Sequence, residues 1–195
     1  MKKTILIIIF SLGISSAFSQ TITYADFKSL IPYLQSEDWK SAYTESAKLL
    51  NKSSKEDSSD FKAIVVYINI FSAAGMVSSK QMSFEDLEKN VMKFKGQRII
   101  MSAHPLTTRD GALNTLKFSM TDTTKEAFTS STNLKGTNIL CFEYFSFNEK
   151  INVEDLENAV VRCGGILDKI EINPRHSAIW ILRLRVINAF ARKAG

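Results

Sequence analysis

Val160–Ile172 (VVRCGGILDKIEI) and Ala178 to Ile187 (AIWILRLRVI) are the stretches on which the fold turns. In the second, Trp180, Leu182, Leu184 and Val186 alternate with Ile179, Ile181, Arg183 and Arg185, the period-two pattern of a strand with one buried face. The first keeps that period on either side of Gly164-Gly165, which marks a bulge. Working back along the chain, Asn138 to Phe147 (NILCFEYFSF) is an aromatic-rich strand. Leu113 to Met120 is another, with Leu116, Phe118 and Met120 on one side, and Arg98 to Ala103 is the first. Val153 to Ala159 (VEDLENA) is helical in composition. The expected order is three strands, a helix, then two strands.

Upstream of residue 83 the period changes to that of helices. Tyr24, Phe27, Leu30, Ile31 and Leu34 line one face of a first helix, and Trp39, Ala42, Tyr43, Ala47 and Leu50 line a second. Asn51 to Ser59 is a polar loop, and Phe61 to Val77 is apolar nearly all round, as a central buried helix would be. Ser83-Phe84-Glu85-Asp86 caps a short fourth helix that ends at Phe94-Lys95-Gly96-Gln97. Both tryptophans, Trp39 and Trp180, are expected in the core.

The spacing of Trp39, Ala42, Tyr43, Tyr67, Ala73 and Ala74 resembles a degenerate tetratricopeptide-like helical hairpin, although a small helical bundle would carry the same stripes. The order of strands after residue 84, with Phe94-Lys95-Gly96-Gln97 before the first and Cys163-Gly164-Gly165-Ile166 in the fourth, resembles OB-fold domains of the bacterial tRNA-anticodon-like type. The expectation is therefore an α+β chain in three parts. These are a signal peptide at 1–19, a helical domain at 20–82 and a five-stranded OB-like β-barrel at 83–195.

The amino terminus gives the address. Lys2 and Lys3 precede the uncharged stretch Thr4 to Phe18, and Ala17-Phe18-Ser19 places small residues where a signal peptidase reads them. Fifteen residues fall short of the roughly 20 that cross a bilayer as a helix. Cleavage at Ser19/Gln20 would export the chain to the periplasm or the medium, with no transmembrane segment left. A Gln at that position resembles Bacteroidetes-type secreted proteins. Removing residues 1–19 takes two lysines and no acid, leaving 23 basic and 20 acidic side chains, net +3. So small a charge does not call for a nucleic acid.

Reactive motifs are scarce. His104 and His176 stand 72 residues apart beside prolines, without a Cys, Asp or Glu at ligand spacing, and read as solvated loop residues. Neither a metal, a cofactor nor a catalytic residue is expected. Cys141 and Cys163 could close a loop, but with Glu143 facing water Cys141 would face outward too, so a disulfide is not favoured. The candidate ligand site is an outward charge cluster of Arg109, Lys117, Glu143, Arg183 and Arg185. A solvated ladder of cross-strand charges is the plainer account of it. The outward set expected on strands two and three, Thr115, Lys117, Ser119 and Glu143, offers no ring on which a base could stack, so nucleic-acid binding ranks last. The favoured function is an exported, non-enzymatic binding module for a peptide, glycan or protein of the envelope. The alternative is a structural part that docks through its helices.

Overall fold

A computed structural model describes residues 20–109, 111–119, 125–177 and 179–194. The expected signal peptide, Met120 and Ala178 lie outside the described residues. The chain is α+β: helices α1 (Tyr24–Gln35), α2 (Trp39–Lys52), α3 (Asp60–Ser78) and α4 (Phe84–Val91) precede seven strands. These are β1 (Arg98–Ile100), β2 (His104–Pro105), β3 (Leu116–Phe118), β4 (Glu126–Thr132), β5 (Ile139–Ser146), β6 (Val160–Ile172) and β7 (Trp180–Lys193).

Local chemistry sets the helix starts. Thr23 and Asp26 form a capping box at α1, the Ser59 hydroxyl accepts the Lys62 N–H at α3, and the Ser83 hydroxyl accepts the Asp86 N–H at α4. Helix α3 is long and apolar enough to span a bilayer, yet most of it is buried within the protein. It lies between α2 and the sheet. A Cβ on Gly75 of α3 would come within 2.3 Å of the Trp39 indole, so the missing side chain is what lets the Trp39 ring lie on α3.

The sheet corrects the expected barrel. Its strands run β1-β6-β7-β5-β4-β3 with β2 also on β6, an open seven-stranded sheet in which, among the described strands, only β5 and β7 pair in parallel. Three local facts account for the difference. The expected first strand is interrupted at Met101–Ala103 and becomes β1 and β2. The expected second strand shrinks to the three residues of β3. An unanticipated strand, β4, pairs with β5 along its length. Among the described residues the two ends of the sheet meet at one bridge, Leu106 to Leu116, too few hydrogen bonds to make a wall. The expected helix at 153–159 is a 3-10 turn over Glu154–Leu156. Strand β6 does shift register at Gly164/Ile166, where a Cβ on Gly164 would meet the Ile99 carbonyl at 2.7 Å.

One apolar cluster runs through helices and sheet, joining Trp39, Tyr67 and Ile70 to Leu140, Phe145, Leu167, Leu182 and Leu184. At its margin Asp60, the first residue of α3, binds Arg98 of β1 at 2.7 Å and Arg192 of β7. Those guanidiniums hold its carboxyl below the usual range.

Candidate binding face

Helix α3 packs on one side of the sheet; the other side, as far as the described residues go, carries part-buried and exposed side chains. On that outer side the register sets side chains in rows across the strands. Lys117 of β3 pairs with Phe128 of β4, Phe128 with Tyr144 of β5, Tyr144 with Arg185 of β7, and Arg185 with Lys169 of β6. The next row runs Ser130, Phe142, Arg183, Glu171. The rings touch: Phe128 lies 5.1 Å from Tyr144 and 5.8 Å from Phe142, and Phe142 lies 6.2 Å from Trp180.

The arginines lie over these rings. The Arg183 guanidinium sits 4.4 Å from the Trp180 centroid and 5.8 Å from that of Phe142, and Arg185 sits 5.9 Å from Tyr144. Each such contact is worth about 0.5–1 kcal/mol at an exposed site and restricts a long side chain to one orientation. Lys169 holds the Glu171 carboxylate, which Lys169, Arg185 and Arg183 together keep below its ordinary range. Beyond Arg185 the face ends in a shallow cleft of about 250 Å³ that includes Tyr144, Ile187, Glu126 and Asp168. A larger groove, about 510 Å³, lies by the α2–α3 loop. Two of its cations are already engaged, Lys62 with the Ser54 carbonyl and Arg98 with Asp60.

Three expected site residues, Lys117, Arg183 and Arg185, are thus on one face. Arg109 is not; it stands exposed on the β2–β3 loop. Glu143 is also misplaced by the sequence reading: it is 0% exposed and points to the α3 side. Cys141 turns inward with it, so period two held and the premise that Glu143 meets water did not. Phe142 and Tyr144 consequently face out, and rings occupy the surface that the sequence had read as ringless. Trp180 likewise leaves the core to lie half-buried beside Arg183 and Phe142, whereas Trp39 is buried. Cys141 and Cys163 are both buried free thiols.

Beneath the face, Glu143 belongs to a buried polar chain. The Tyr67 hydroxyl of α3 donates to Glu143 Oε1 at 2.7 Å and lies 3.3 Å from the Ser131 hydroxyl of β4. Ser131 in turn lies 3.3 Å from His104 Nε2, while His104 Nδ1 meets the Asn114 carbonyl at 3.0 Å. That carbonyl places the imidazole proton on Nδ1 and leaves Nε2 to accept. His104 is therefore a buried strand residue, correcting its reading as a solvated loop histidine. His176 is exposed and stacked on Phe84 at 4.6 Å. Burial raises the Glu143 carboxyl to about 8, and among the described residues its Oε2 has no partner, so the group is a neutral acid at pH 7. Burial also pushes the Tyr67 hydroxyl up and the His104 imidazole down. This chain lines none of the cavities described above, and it ties α3 to the sheet. Among the described residues no three His, Cys, Asp or Glu side chains gather as a metal site would need. No protein-family model, curated protein or solved structure matches the chain.

Proposed function

We propose that the chain is an exported, non-enzymatic binding module whose outer sheet face recognises a peptide, glycan or protein partner in the cell envelope. The observation that carries this is the packing of Phe128, Phe142, Tyr144 and Trp180 with Arg183 and Arg185 on the sheet surface opposite α3. Aromatic residues and arginine are the side chains that dominate binding hot spots, and guanidiniums held over rings lose little further entropy when a ligand arrives. The leader-like segment at 1–19 supports export. The position of β7 between β5 and β6 supports kinship with OB folds, whose fifth strand lies between the third and fourth.

Capture from native envelope extracts tests the proposal. The protein with Arg183→Ser and Arg185→Ser should lose its partner while its melting temperature falls by several degrees at most, the loss of three partly exposed cation–ring contacts. Undiminished capture would remove the outer face as the binding surface.

A further inference from the structure

We infer that the outer face reads an extended peptide segment of a partner protein, carrying acidic side chains at two positions two residues apart and an apolar side chain two residues beyond. The inference rests on the face being the binding surface and adds the chemistry of its ligand.

The spacing comes from β7 itself. Arg183, Arg185 and Ile187 follow one another on the outer side, and alternate residues of a strand are about 6.6–6.8 Å apart. An extended peptide lying along β7 presents its own alternate side chains at that same repeat, so two carboxylates meet two guanidiniums in step. Each guanidinium already sits over a ring, Arg183 4.4 Å from the Trp180 centroid and Arg185 5.9 Å from that of Tyr144, which holds it near the position where it would form paired bonds to a carboxylate. Ile187, 38% exposed, offers an apolar contact at the third position. The cleft there also contains Asp168 and Glu126, so a third acid would be repelled.

The neighbouring charges agree with this register. Lys169 flanks Arg185 on β6, and Lys117 stands at the far end of the same row. Glu171 opposes Arg183 but is held by Lys169. The mode is side-chain recognition alone, because β5 and β7 are paired on both edges and have no free main-chain ladder to offer. A single-stranded nucleic acid has a similar repeat of charge, but its bases need open ring faces, and guanidiniums lie on three of the four rings of the face, Trp180, Phe142 and Tyr144.

Fluorescence anisotropy of the purified protein with three labelled probes tests this. The first is a nonapeptide with Asp at alternate positions and Val at the third. The second is its isomer with the two Asp adjacent, and the third is oligothymidylate. The alternating peptide should bind about tenfold more tightly than its isomer, and Arg183→Ser or Arg185→Ser should each weaken it about tenfold, with far-UV dichroism unchanged. Equal binding of the isomers, or tighter binding of oligothymidylate with the same arginine dependence, overturns the inference. If the arginine variants lose the envelope partner while the isomers bind alike, the ligand chemistry is wrong and the face stands. If they change neither capture nor peptide binding, both are wrong.

Discussion

Glu143 keeps its proton at neutral pH because it is wholly buried beneath α3 and Tyr67 supplies a donor, not a countercharge. The sign of its effect on stability follows. Between the ordinary carboxyl value of 4.5 and about 8, the unfolded chain has released this proton and the native protein still holds it. Native stability attributable to Glu143 is therefore greatest below 4.5 and falls by about 1.4 kcal/mol per pH unit across that window. Glu143→Gln keeps an acceptor for Tyr67 and cannot titrate, so its stability relative to the natural protein should rise steadily from pH 5 to pH 8 in urea titrations. A flat difference would mean that Glu143 is not proton-linked. Comparing the two proteins at each pH cancels the opposite contribution of His104, whose depressed value removes stability as pH falls. Gly75 is where α3 meets the Trp39 ring of α2. Alanine favours helix by about 1 kcal/mol, but its Cβ would overlap the Trp39 indole, and overpacking costs about 1–3 kcal/mol. Gly75→Ala should lower the melting temperature, and any rise would contradict the packing of α2 on α3. The sequence could not reveal the state of Glu143, since its partner Tyr67 lies 76 residues away on a helix.

Among the elements, the helices were legible because each carries its own signals: stripes spaced three and four apart in α1 and α2, a nearly all-apolar run in α3 and the Ser83 cap at α4. Strands β6 and β7 were legible for the same reason, through alternation and the Gly164-Gly165 interruption. Strand β4 (EAFTSST) was not, because Ala127 and Phe128 are its only apolar residues and leave no apolar alternation to read, and its order comes from pairing with β3 and β5. In β5 the alternation was visible but its sense was ambiguous. Both faces carry aromatics, and the general rule that carboxylates face water chose the wrong one. The packing of α3 on the sheet, with Asp60 bound to Arg98 and Arg192, also bears on how the chain comes apart. Limited proteolysis that cuts between Ser78 and Glu85 should leave no stable 83–195 fragment, because the separated sheet would expose Leu140, Phe145 and Leu184. Accumulation of such a fragment would show that the sheet folds without α3.

For the whole molecule, inside and outside are decided together. One register of β5 buries Glu143 with Cys141 and Phe145 and thereby turns Phe142 and Tyr144 to the surface, where Arg183 and Arg185 meet them. A shift by one residue would exchange the two sets, exposing the carboxylate and dismantling the aromatic face in the same step. The binding surface and the buried acid are thus two consequences of a single arrangement, and the state of the acid reports on both. The most direct test is the titration of the Glu143 carboxyl carbon by 13C NMR in the folded protein. A midpoint near 8 is expected. A midpoint in the ordinary carboxylate range, near 4.5, would place Glu143 in water and remove the face on which the proposed function depends.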